Sequence, residues 1–125
     1  MKRHIKFLKK SRVEALKSVY QQQIGCVLVS SGRILSTGYN QIRFKGRGNK
    51  YTKWSSSLHA ERDCLAKVNK DEISNATLYI WRESSTGPAL SMPCDQCWYM
   101  IEELGFIKKV VYTTNEFPYF KVVKV

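Results

Sequence analysis

The chain alternates apolar and polar positions in two rhythms. "IGCVLVS" (24–30) and "RILSTGY" (33–39) are short, β-branched runs on either side of Ser31-Gly32, which together predict a β-hairpin. "ATLYIW" (76–81), "KKVVYT" (108–113) and "FKVVKV" (120–125) read as further strands. Elsewhere the period lengthens to that of a helix. Val13, Leu16 and Val19 or Tyr20 follow Ser11 and Glu14, whose S-x-x-E form is that of a capping box. A first helix near 11–22, or one beginning somewhat earlier, is expected. In "SLHAERDCLAKVNK", Leu58, Cys64 or Leu65, and Val68 share one helical stripe. Pro93 opens a third helix that runs through Leu104 and is stopped by Gly105, the usual places for proline and glycine.

The order is therefore helix, two strands, helix, strand, helix, two strands, an α/β sheet with helices packed on it. Only the six residues "TNEFPY" separate the last two strands. A parallel pair needs a crossover of roughly a dozen residues or more, so these two strands are expected to run antiparallel. Neither repeats nor a linker divide the 125 residues, which suit a single domain over 1–125. No apolar run approaches the roughly 18–20 residues of a membrane-spanning helix. The basic opening segment also lacks the apolar centre of a secretory signal. The expectation is a cytoplasmic protein with no membrane partner.

Charge sharpens this picture. The formal net charge is +11, and it is unevenly spread. Residues 1–60 hold 13 Lys or Arg against the single acid Glu14, while residues 61–125 hold 8 basic and 9 acidic residues. Such asymmetry is the footprint of a face that meets phosphates.

The four cysteines, Cys26, Cys64, Cys94 and Cys97, should stay reduced in an intracellular chain, which favours metal or redox use of the close pair. Cys94 and Cys97 stand at i and i+3, on one face of a helix start, where the dipole favours thiolate. A redox pair would normally follow the first strand of a thioredoxin-like pattern, whereas this one comes after three strands. Two sulfurs do not complete a zinc site. His59 is the histidine outside the N-terminal segment, and it too lies at a helix start with Glu61 two places on. Residues two apart point about 200° apart in a regular helix, so they converge on one ion only where the chain is entering its first turn.

H-x-E followed by P-C-x-x-C is the pattern of zinc-dependent nucleobase deaminases. With "GYN" (38–40), "LHAERDCL" (58–65), "ATLYIW" and "PCDQCWYMIEELGFIKKVVYT" (93–113), the chain resembles the cytidine and deoxycytidylate deaminase superfamily over roughly residues 20–113. The resemblance implies a three-layer α/β/α fold on a mixed five-stranded sheet. It implies Zn²⁺ held by His59, Cys94 and Cys97, with water at the position that a catalytic zinc leaves open. Glu61 would then move the proton between that water and the base, Asn40 would hold the sugar hydroxyl, and the backbone N–H of Ala60 would meet the base carbonyl. Cys26 and Cys64 read as small core residues. Many members of the superfamily assemble, so a homo-oligomer is an expectation. Two features depart from compact members. The link "RESSTGPALSM" (82–92) is long and lies beside the metal site, and the hairpin ending is closer to free-cytidine deaminases than to the deoxycytidylate branch.

The segment from Asn40 to His59 must border the pocket mouth. It carries Arg43, Lys45, Arg47, Lys50 and Lys53 interleaved with Phe44, Tyr51 and Trp54, and no acid. Cations beside stacking aromatics suit single-stranded DNA or RNA, and equally the phosphate of a free nucleotide. Lys2, Arg3, Lys6, Lys9, Lys10 and Arg12 add basic charge that a mononucleotide does not require. The reading from sequence is thus a zinc-dependent hydrolase converting cytosine to uracil, with a single-stranded nucleic acid slightly favoured as substrate. The alternative is a metabolic CMP, dCMP or cytidine deaminase. Lesser alternatives are an RNA adenosine deaminase and a non-catalytic zinc module that binds nucleic acid.

Overall fold

In the computed structural model of the chain, which describes residues 2–42 and 57–125, the sheet forms as the apolar rhythm predicts. Strands β1 (Gln23–Ser30) and β2 (Arg33–Tyr39) make an antiparallel hairpin. Ser31 and Gly32 both have positive φ, 52° and 76°, as the tight turn of a twisted hairpin requires. Two short strands, β3 (Gln41–Ile42) and β4 (Ser57–Leu58), pair with each other and so bring Asn40 and His59 to one end of the sheet. Helix α2 (Ala60–Leu65) and a 3-10 turn (Lys70–Glu72) lead to β5 (Ala76–Ser84). Then come β6 (Gly87–Ala89), α3 (Asp95–Leu104), β7 (Ile107–Thr113) and β8 (Phe120–Lys124).

The spatial order is β2-β1-β5-β7-β8, the expected mixed five-stranded sheet, with β6 pairing onto β5 as a sixth strand. β5 and β7 are parallel, joined through α3, while β7 and β8 are antiparallel as the short connection demanded. Alternation along the central strands sorts the core into two layers. Cys26, Leu28, Leu78, Ile80, Val110 and Tyr112 pack with α2 and α3 on one face. Val27, Val29, Tyr79 and Val111 meet Phe7 and Leu8 of helix α1 (Lys2–Ala15) on the other. Among the described residues no helix is long and apolar enough to cross a membrane.

The first helix corrects the sequence reading. It spans Lys2–Ala15 rather than 11–22, and Val13, Leu16 and Val19 are exposed. The stripe that lies on the sheet is Phe7, Leu8, Ser11 and Ala15, partly hidden in the sequence among lysines. Ser11 is not a cap. Its hydroxyl is buried in mid-helix, within 3.1 Å of both the Phe7 and the Tyr79 carbonyl oxygens. The third helix begins at Asp95 with Cys94 as its N-cap, so Pro93 precedes the cap, and Gly105 ends the helix with φ 77°.

Two glycines let helices sit directly on strands. A Cβ at Gly25 would lie 2.0 Å from the Ser11 carbonyl oxygen, so α1 rests on β1 there. A Cβ at Gly38 would lie 2.5 Å from the Cys64 nitrogen and 2.7 Å from the Ala60 oxygen, so α2 rests on β2 at that point. Both neighbours are backbone and have no rotamer by which to yield. Overpacking of this kind costs about 1–3 kcal/mol. Gly38→Ala is expected to lower both the melting temperature and zinc affinity, because α2 carries His59 at its start. Gly25→Ala should lower the melting temperature alone, with zinc retention measured alongside on both variants.

Arg12 and Glu83 join the end of α1 to the end of β5 through two contacts of 3.0 Å, and Trp81 Nε1 donates to the same carboxylate at 2.8 Å. The Arg12 guanidinium, with help from Trp81, holds the Glu83 carboxyl below its ordinary 4.5. A depressed carboxyl contributes stability above its unfolded pKa and loses it as pH falls through the folded one. The melting-temperature advantage of the parent over Glu83→Gln should therefore be constant near neutrality and shrink below about pH 4.5, which thermal scans across that range will measure.

Candidate active site

Two helix starts meet at the end of the sheet where β5 finishes. His59 is the N-cap of α2 and Cys94 the N-cap of α3, each with extended backbone (φ −68°, ψ 148° and 168°) and neither making a side-chain cap hydrogen bond. Instead the side chains turn toward each other. His59 Nδ1 lies 3.4 Å from Cys97 Sγ and 3.7 Å from Cys94 Sγ. All three ligand atoms fall within 4.8 Å of one another. A tetrahedral zinc with Zn–N near 2.0–2.1 Å and Zn–S near 2.3 Å requires N···S separations of about 3.6 Å. The donor set is thus spaced for the ion. Cys97 is buried while His59 and Cys94 are exposed, so the group opens on one side. In the metal-free chain, burial and then the Glu61 charge push the Cys97 thiol well up, whereas a bound divalent cation favours thiolate.

The opening faces a cleft of about 450 Å³ lined by residues from five segments, including Ile24, Asn40, Glu61, Arg82 and Leu90. Glu61 is only 5% exposed, and burial pushes its carboxyl up, partly offset by its own backbone amide, His59 and Cys97. The first-turn position lets His59 and Glu61 line the same cleft, as the two-residue spacing required. Ala60 is buried at the same helix start.

Asn40 also lines the cleft, but its amide is committed to backbone. Its Nδ2 donates to the Gln22 carbonyl oxygen at 2.7 Å and its Oδ1 accepts from the Ile24 N–H at 2.9 Å. It clamps the segment carrying Tyr20, Gln21 and Gln22 against the cleft, where all three form a wall. Cys26 and Cys64 are fully buried in the core and stand outside the His59, Cys94 and Cys97 group. Arg43, Lys45, Arg47, Lys50, Lys53 and Trp54 lie outside the described residues.

The link at 82–92, which the sequence set beside the metal site, does line the cleft, although no motif marked its individual residues. The long link after β5 folds back as β6 and then supplies Leu90, Ser91 and Met92 to the cleft wall. Ser91 is locked there. Its N–H donates to the Thr113 carbonyl oxygen at 2.9 Å, its hydroxyl meets the Ile80 carbonyl oxygen at 3.0 Å, and it accepts the Thr113 N–H at 2.8 Å. This buried network fixes the chain two residues before Pro93 and so sets where Cys94 begins its helix. Arg82 is the other addition. Its Nη1 donates to the Leu90 carbonyl oxygen at 3.3 Å, and it is the one Lys or Arg lining the cleft among the described residues.

The family profile described as the cytidine and deoxycytidylate deaminase zinc-binding region matches residues 1–114, and the chain belongs to this zinc-binding family. It is 30% identical over 112 residues to the deoxycytidylate deaminase of Schizosaccharomyces pombe, a match covering 76% of this chain and 31% of that protein. The chain spans about a third of the length of the yeast deoxycytidylate deaminases it matches, 31% and 36%. Among solved structures it is similar to the dCMP deaminase of cyanophage S-TIM5, with a TM-score of 0.67, 25% identity, and 89% of this chain and 82% of that one covered. It shares the fold of cytidine deaminase from Burkholderia pseudomallei, with a TM-score of 0.65, 20% identity, and 97% and 91% covered.

The donor set predicts one zinc per chain. Cys97→Ser and His59→Ala should each lose stoichiometric metal, whereas Cys64→Ser should keep it, as measured by elemental analysis after dialysis against a weak chelator.

Proposed function

We propose that the chain is a hydrolytic deaminase of a cytosine mononucleotide of the dCMP type, releasing ammonia and leaving uracil. One observation carries the reading: a single cleft lined by His59 and Cys94 of the three-ligand group, by the buried Glu61 and by Arg82. The named activity of the yeast and cyanophage relatives supports the mononucleotide over the polynucleotide that the charge balance suggested.

His59, Cys94 and Cys97 would hold the metal. Zinc, when bound there, supplies Lewis acidity that lets water act as a nucleophile near neutral pH. Glu61 accepts a proton from the attacking water, delivers it to ring N3, and returns a proton to the departing amine. The balance is one water consumed and one ammonia released, with the C4–N bond exchanged for C4–O. The Ala60 amide, at an uncapped helix start, orients the base carbonyl, and Ile24 and Leu90 in the cleft lining offer apolar surface to the ring. Asn40 keeps one amide hydrogen beyond its bond to Gln22, enough for a sugar hydroxyl. Arg82 receives the 5′-phosphate.

A second reading, free cytidine, draws on the antiparallel β7–β8 ending, which resembles that branch of the superfamily. Substrate panels separate the two. Ammonia release should be fastest on dCMP or CMP, slower on the nucleosides, and absent on a cytosine-bearing oligonucleotide. Glu61→Gln should keep its zinc and lose activity by about 10²–10⁴-fold. Hydrogen bonds to charged groups are worth about 1.5–3 kcal/mol, so Arg82→Gln should raise KM for dCMP about tenfold or more while leaving deoxycytidine nearly unchanged. Equal effects on both substrates, or turnover confined to the oligonucleotide, overturn the assignment.

A further inference from the structure

The opposite end of the sheet carries a cleft that the deaminase reading does not use. It measures about 590 Å³ and is lined by Arg3 of α1, by Lys108 and Lys109 of β7, and by Ser30, Ser31, Thr77 and Tyr79. Thr77 pairs with Lys109 across β5 and β7. Five residues separate Thr77 from Arg82 along β5, so this cleft lies about 16 Å from the metal cleft. A second hollow of about 380 Å³ adjoins it, sharing Arg3 and Gly32 and adding Lys2 and Lys6. Among the described residues no acid lines either one.

The charge is concentrated by the fold. Arg3 comes from the first turn of α1, which contains no acid, and lies against a strand 106 residues later that presents two adjacent exposed lysines. His4 registers the same field. Its imidazole sits 2.8 Å from the Tyr79 hydroxyl and is held below its ordinary 6.5 by burial first, then by repulsion from the N-terminal ammonium, Lys109 and Arg3. Cations crowded this way repel one another and raise the energy of the folded chain unless a counter-charge sits between them. Lys2, Lys6 and Lys9 continue the track at i, i+4 and i+7, a stripe about 10 Å long on the exposed face of α1. One phosphate group needs far less. A run of cations of this length matches a ligand with several phosphates in sequence.

We propose that this track is a second binding site that takes the phosphodiester backbone of a nucleic acid strand, held by Arg3, Lys6 and Lys109, and that it is separate from the metal cleft. The basic N-terminal helix then serves docking rather than the reaction. The site stands whether or not the mononucleotide reading of the metal cleft holds, and the two are tested by different readouts.

The experiment is fluorescence anisotropy of labelled oligothymidylate and oligouridylate with the zinc-loaded full chain, across a salt series. Each neutralised phosphate on a single strand contributes about −0.7 to the slope of log affinity against log salt. Arg3→Gln, Lys6→Gln and Lys109→Gln together should weaken binding at least tenfold and make that slope shallower by about 2, for three contacts. Ammonia release from the preferred small substrate should stay unchanged, and the melting temperature should hold or rise as the repulsion is relieved. The charge-preserving set Arg3→Lys, Lys6→Arg and Lys109→Arg should retain affinity, which guards against a folding defect. Unaltered affinity in the Gln variant, or absence of salt-sensitive binding by the parent, overturns the proposal. So does loss of binding on neutralising Lys45, Arg47, Lys50 and Lys53 but not on this set. Displacement of the oligonucleotide by equimolar pyrophosphate would reassign the cleft to a small phosphate ligand.

Discussion

The seating of α2 on β2 at Gly38 is the constraint on which the site depends. With no side chain at that position, the helix backbone comes within van der Waals contact of the strand, and its first residues are delivered to the end of the sheet. His59 then stands at the helix start rather than within it, and Glu61 follows into the same cleft. A larger residue at 38 would lift the helix and separate the imidazole from the two sulfurs. The other half of the site is set by a different device. β5 and β7 are parallel, and the strand end they share is closed by the Ser91 and Thr113 network, which fixes the approach to Cys94.

Much of this was legible in the sequence because it rests on local rules. β-branched runs and a Ser-Gly turn gave the hairpin, a six-residue connection dictated the antiparallel pairing of β7 and β8, and Gly105 stopped α3. The metal group was legible because H-x-E and C-x-x-C each constrain a helix start, and two such starts have few ways to converge. The first helix was misplaced for an equally local reason. Ser11 and Glu14 have the form of a capping box, yet Ser11 satisfies its hydroxyl against the Phe7 and Tyr79 carbonyls. Only the sheet underneath decides between the two uses.

What stayed hidden depends on contacts far apart in the chain. Arg82 reads as the first residue of the long link, yet β5 runs on through it, and once β6 folds back its guanidinium donates to the Leu90 carbonyl at the cleft wall. Ser91 and Thr113 are 22 residues apart and carry no motif. Asn40 was singled out as a sugar contact, while its most visible work is to clamp Gln22 and Ile24. In each case the side chain's role is set by which backbone groups tertiary packing leaves near it.

Both helix starts at the metal site give up the side-chain cap that most helices use. His59 and Cys94 occupy cap positions yet make no cap hydrogen bond. A cap is worth about 0.5–2 kcal/mol, so α2 and α3 each begin at a deficit that metal ligation is placed to offset. Ligand binding favours the folded state in proportion to the logarithm of free ligand concentration. Zinc supply is therefore coupled to the persistence of these two helices, and the lifetime of the chain between synthesis and degradation becomes a function of metal availability as well as of sequence.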